Sequence, residues 1–313
     1  MSFLYWLESI RNPFLDAVMS VITMVGEETI FLAIALFIFW CLDKKKGYIF
    51  LLIGFIGITI NQVLKLTFRI PRPWVKDPNF TVVESAIEEA TGYSFPSGHT
   101  QNVADTFGCI AYSTKKLWLR IASVALILLV GFSRMYLGVH TPLDVGVSLL
   151  VGAVLIFALY PLLERLFAND RNVLIALGAT VLISVGFVLY TELFPFPADI
   201  DPHNLASGQK NAYTMLGCSL GLLAAFIADK KWLHFKNDAP LLGQIGKLAV
   251  GAGLALAIKA VLKAPLLALF GGHASATALR YFLVVVFAGI VWPLTFPLWA
   301  KLGKKNAPSS ENA

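Results

Sequence analysis

Read from one end to the other, the chain alternates between long apolar runs and short polar breaks. A helix needs roughly 17–25 apolar residues to cross the ~30 Å hydrocarbon layer of a bilayer. By that measure the pattern predicts spans at approximately 28–43, 47–68, 98–114, 118–136, 142–163, 172–191, 212–229, 243–262 and 279–299. The first is short. Ahead of it, residues 3–25 carry apolar positions broken by Glu8, Arg11 and Asp16, and Gly26-Glu27-Glu28 interrupts again. This opening reads as an amphipathic helix lying in the interface, with a bent first span as the alternative. In the long connection from Trp74 to Ser97, Val82, Val83, Ala86, Ile87 and Ala90 share one helical face, which predicts a short interfacial helix there. The expected fold is all-α, a polytopic transmembrane helical bundle of eight or nine spans. Residues 1–27 form its interfacial or bent opening, 28–163 a catalytic helical core, and 164–301 additional spans. A polar, disordered tail is expected over 302–313.

Composition agrees with a membrane class. Of 313 residues, 57% are hydrophobic and only 14% charged, and mean hydropathy is +0.72. A soluble domain of this length would need far more charge to cover its surface. The formal net charge of +6 is not a nucleic-acid footprint, because the cations lie in short clusters between apolar runs. Those clusters are Lys44-Lys45-Lys46, Lys115-Lys116 with Arg120, Arg165 with Arg171, Lys230-Lys231 with Lys236, and Lys301 with Lys304-Lys305. All five fall on one side of the predicted bundle, which the positive-inside rule makes the cytoplasmic side. Loops around 69–97, 134–141, 192–211 and 263–278 then face the opposite way. Cys41, Cys109 and Cys218 each lie within an apolar segment without metal-type spacing, and read as small core residues. The opening residues show no basic start, apolar core and small-residue cleavage site, so no removable signal peptide is expected.

Three polar stretches interrupt this pattern on the non-cytoplasmic side. Lys65 is followed by Arg72-Pro73, then comes Pro96-Ser97-Gly98-His99, and last Ser133-Arg134, His140 and Asp144. Lys65, Arg72 and Arg134 bring three cations to one depth, where charge is costly unless something anionic offsets it. Arginine's planar fork fits phosphate oxygens and lysine acts as a point charge. Singly, each would read as a snorkelling side chain at a helix end. Ser97 and Gly98 stand at the start of a predicted helix, where free N–H groups and a glycine backbone suit an anion. His140 and Asp144, four apart, predict a carboxylate that holds one ring nitrogen and leaves the other as a nucleophile. Two histidines and an aspartate are also a donor set for a metal ion, but the neighbouring cations would repel one. The sequence assigns neither metal nor cofactor. Arg69, one turn beyond Lys65, is a possible fourth phosphate contact.

In motif form the stretches read K-x6-RP, PSGH and SR-x5-H-x3-D, and with them the chain closely resembles the type 2 phosphatidic acid phosphatase (PAP2) superfamily. The resemblance covers residues 60–150 directly and implies a PAP2-type core within the bundle. It implies His140 as nucleophile through a phosphohistidine, and His99 as the acid that protonates the leaving oxygen and the base that activates water. Lys65, Arg72, Ser97, Gly98 and Arg134 would hold the phosphoryl group, with Asp144 orienting His140. The implied substrate is a membrane lipid phosphate met at the non-cytoplasmic face of a bacterial plasma membrane. A polyprenyl diphosphate is favoured over phosphatidic acid or phosphatidylglycerol phosphate by analogy alone. Phosphotransfer to a hydroxyl acceptor and non-catalytic lipid transport are the other readings, and no oligomeric state is indicated. Beyond residue 165 the resemblance ends. Lys259, Lys263, His273 and Arg280 could seat a headgroup there or simply snorkel.

Overall fold

The structure, a computed structural model, describes residues 1–302, so most of the tail lies outside the described residues. Among those residues every regular element is helical. In chain order they are α1 (Ser2–Ser9), α2 (Pro13–Met24), α3 (Glu28–Leu42), α4 (Lys44–Phe68), α5 (Gly98–Ser113), α6 (Leu117–Tyr136), α7 (Pro142–Leu166), α8 (Asp170–Leu193), α9 (Pro202–Leu233), α10 (Leu241–Leu269) and α11 (Ala276–Trp299). Seven are long and apolar enough to cross a membrane, or eight if α2 and α3, bent by 44° to one another, count as one span. The segment expected as a span at 98–114 is α5, which has only 16 residues and is polar on its buried side.

Helix α4 is the axis of the bundle. Asp43 caps it by accepting from the Lys46 N–H at 3.1 Å, and residues 47–55 are buried without a break. Its apolar face packs with α3, α7, α8 and α9 in one continuous core. Helix α9 packs on α4, and α11 docks in turn on α9 at close range. A Cβ at Gly217 on α9 would lie 2.1 Å from the Ala278 carbonyl oxygen, and one at Gly221 would lie 2.7 Å from Val285 Cβ. Small residues four apart are how helices approach closely in lipid, where apolar surface alone gives no preference for protein over tails.

The connection from α4 to α5 is not the interfacial helix that the apolar positions predict. It holds one helical turn at Pro73–Lys76 and a single 3-10 turn at Glu84–Ala86, and is otherwise irregular. The reason is competition for its backbone. Glu8 accepts from both the N–H and the hydroxyl of Thr81, Arg11 donates to the Thr81 carbonyl at 2.9 Å, and Val83 N–H donates to the Leu137 carbonyl at 3.1 Å. Further along, the Thr91 and Gly92 carbonyls accept from Arg72. Groups drawn outward in this way are not free for a helical ladder. Tyr5 to Asp77 and Ser20 to Ser85 add two side-chain links, so α1 and α2 clasp the loop.

Candidate active site

The three polar stretches converge at one end of the bundle. Lys65 ends α4, Arg72 follows it, His99 lies in the first turn of α5, Arg134 in the last turn of α6, and His140 just ahead of α7. Lys44 starts the same helix that Lys65 ends, so the rise between basic cluster and site is about 30 Å. A cavity of about 320 Å³ is lined by Lys65, Arg72, Gly98, His99, Arg134 and His140. Glu27, Glu28, Glu89 and Lys210 also face it. A larger cavity of about 720 Å³ lies at the other end, around His234 and Pro297, and contains none of these residues.

His140 is not on a helical face, as its spacing from Asp144 suggests, but one residue ahead of the α7 cap. Thr141 and Asp144 form a reciprocal capping box: Thr141 Oγ1 accepts from the Asp144 N–H at 3.3 Å, and Asp144 Oδ2 accepts from the Thr141 N–H at 2.7 Å. Ser94 Oγ donates to the same Oδ2 at 2.6 Å. The carboxylate is thereby fixed with Oδ2 at 3.5 Å from His140 Nδ1. The other ring nitrogen decides the tautomer. Arg72 Nη1 stands 3.0 Å from His140 Nε2, and a guanidinium can only donate. Nε2 must therefore accept, which leaves the ring proton on Nδ1 toward Asp144. Burial, and then the charges of Arg72, Arg134 and Lys65, hold the His140 imidazole well below its ordinary pKa, so it is a free base at neutral pH.

The cations are held by neutral oxygens. Lys65 Nζ donates to the Tyr93 carbonyl, and Arg72 donates to the carbonyls of Thr91 at 2.8 Å, Val139 at 3.1 Å and Gly92 at 3.2 Å. Arg134 is fully buried and donates from Nη1 to Thr23 Oγ1 at 2.8 Å. Among the described residues its Nε and Nη2 have no partner, nor does His99 Nε2. Buried donors left unpaired cost about 1–3 kcal/mol each, and here Arg134 and His99 both line the cavity. The bend between α2 and α3 closes one side, because a Cβ at Gly26 would come within 2.8 Å of the His99 carbonyl oxygen.

Several expected residues take supporting positions. Ser97 is buried as the cap of α5, its Oγ accepting from the Thr100 hydroxyl at 2.9 Å, while Gly98 lines the cavity. Its carbonyl and N–H bond to Ser148 and Asp144, tying α5 to α7. Arg69 sits in a left-handed conformation at the end of α4, bonds the Leu66 carbonyl and does not line the cavity. Ser94, which bonds Asp144, and Thr23, which bonds Arg134, are contacts of the site that the motifs do not name. Lys210 escaped notice because α9 starts at Pro202, ten residues before the expected span. Among the described residues no group of three or more His, Cys, Asp or Glu is arranged to hold a metal ion.

Comparison with known proteins now decides the family. The model described as PAP2 superfamily matches residues 45–168, and one described as PAP2 superfamily phosphatase, transmembrane extension, matches 213–305. Bacillus subtilis undecaprenyl-diphosphatase BcrC is 31% identical over 154 residues, 48% of this chain and 76% of that protein. The chain belongs to the PAP2 superfamily. Phosphatidylglycerophosphatase B of Bacillus subtilis is also 31% identical, over 47% of this chain and 75% of its own length. A probable sphingosine-1-phosphate phosphatase of Dictyostelium discoideum is 29% identical over 76% of this chain, which spans 58% of that protein. The PAP2 match ends close to the end of α7, and the extension match begins within α9 and takes in α10 and α11.

Proposed function

We propose that this PAP2 chain is a membrane lipid phosphatase that works through a phosphohistidine on His140. Nε2 attacks phosphorus, the bond from phosphorus to the lipid oxygen breaks, and His99 gives that oxygen a proton. Water then attacks the phosphohistidine as His99 takes its proton, and inorganic phosphate leaves with His140 restored. Lys65, Arg72 and Arg134 hold the phosphoryl oxygens, and the N-terminus of α5 at Gly98 adds backbone donors. The observation that carries this reading is the contact between Arg72 Nη1 and His140 Nε2, which makes Nε2 the unprotonated ring nitrogen; the guanidinium has to pass from its lone pair to a phosphate oxygen before Nε2 attacks.

The favoured substrate is a polyprenyl diphosphate, cleaved to the monophosphate, as the name of the Bacillus subtilis diphosphatase suggests. The site is proposed to face the non-cytoplasmic side of the plasma membrane, since the basic loops gather at the far end. Purified protein should release phosphate from lipid phosphates with a chelator present. His140→Ala should lower that release by about 10⁴-fold or more while the protein stays folded in detergent. Full activity in that variant would remove the nucleophile assignment.

A further inference from the structure

A second cavity, of about 250 Å³, adjoins the phosphate cavity, and Glu28 and Thr29 line both. Its remaining walls are apolar apart from Thr214, Lys259 and Tyr281. The change in character can be followed along single helices. On α4 the lining passes from Lys65 and Gln62 to Ile58, Phe55 and Leu51, and on α9 from Lys210 and Asn211 to Met215, Cys218 and Leu222. From Lys65 to Leu51 the rise is about 21 Å, more than half of the ~30 Å hydrocarbon layer. The far walls, Ala252 and Leu256 on α10 with Val285 on α11, come from the extension.

We infer that this slot takes one hydrocarbon chain of the lipid whose phosphate lies at His140, and that the extension supplies the wall facing α3 and α4. The inference rests on the proposed function and narrows its substrate class. Two observations select the occupant. The slot begins where the phosphate cavity ends, so a molecule with an anionic head and an oily tail fills both at once. Its volume fits one tail. An apolar cavity of about 150 Å³ takes a benzene, so 250 Å³ takes about ten carbons in single file and not a pair of chains. The substrate class is therefore a single-chain lipid phosphate, whether the chain is prenyl or linear.

The unmodified protein tests this first. In detergent micelles, kcat/KM for lysophosphatidic acid should exceed that for diacyl phosphatidic acid with the same acyl chain by about tenfold, the worth of roughly two buried methylenes. Farnesyl phosphate against a linear alkyl phosphate of equal length tells which kind of chain is preferred. Ala33→Phe on α3 and Ala252→Phe on α10 each fill the slot from a different wall. Each should raise KM for the single-chain lipid about tenfold and leave turnover of butyl phosphate within about twofold. Equal kcat/KM for the lyso and diacyl substrates would overturn the inference. So would folded variants with unchanged KM, which would make the slot a place for bulk bilayer lipid. Absence of phosphate release from every substrate would instead sink the phosphatase reading on which it stands.

Discussion

The two ends of the bundle both carry cations, and they treat them in opposite ways. At the basic end Lys44 pairs with Asp229 and Lys230 with Asp170, each at 2.7 Å, while Lys45 and Lys46 are exposed to solvent. At the site end Lys65, Arg72 and Arg134 are buried, and among the described residues no carboxylate lies within ion-pair distance of any of them. Carbonyls and one hydroxyl hold them instead. A carboxylate partner would cancel the charge, whereas a carbonyl fixes the geometry and leaves the charge in place. The difference separates a cation that anchors a loop from one that the proposed mechanism gives an anion to hold, and on that proposal an arrangement costly to an isolated fold is retained for the substrate.

Replacing the site cations should break this contrast most strongly. Arg134→Gln removes the unpaired donors Nε and Nη2, and phosphate release should fall by about 10²–10³-fold, as for other preorganised donors to a charged transition state. Size-exclusion profiles would show whether the variant is folded. Arg72→Gln should lower the rate similarly and also shift its pH dependence. The Arg72 charge disfavours the imidazolium of His140, so the free-base form persists to low pH. Without it the acid limb of kcat/KM should move to higher pH, toward the ordinary imidazole value. An unmoved limb would mean that the limb reports another group.

Smaller effects sharpen the comparison. Ser94→Ala takes one donor from Asp144 Oδ2 and should lower kcat about tenfold with KM little changed, because the group touches no substrate. Lys44→Met at the basic end should leave the rate within about twofold. It should lower stability by about 1–3 kcal/mol, read as a drop in Tm, since the buried Asp229 carboxylate loses its cation and keeps the Phe235 N–H. A large loss of activity in that variant would blur the division between the two ends.

Much of this was legible in the sequence because membrane folds are spelled in long runs. The spans α4 and α6 to α11 followed from the length of apolar stretches, whereas α5 is too short and polar to count as one, and Lys65, Arg72, His99, Arg134 and His140 followed from three motifs on one predicted side. What escaped depends on contacts distant in sequence. Thr23 reaches Arg134 across 111 positions, in a segment that reads equally well as an interfacial helix. The loop before α5 has a helical pattern of apolar residues, yet partners on α1, α2 and Arg72 take up much of its backbone. Local periodicity records which side of a segment is oily, but not which distant side chain will claim its carbonyls.

The 44° corner between α2 and α3 has a mechanical consequence. Thr23, just before it, holds the buried guanidinium of Arg134, and Glu28, just after it, opens onto both cavities. A spanning helix tilts to suit the thickness of the surrounding bilayer, and here tilt would pull on the charge proposed to receive the phosphate. Vesicles made from progressively longer acyl chains should therefore tune the rate of phosphate release with the protein left unaltered.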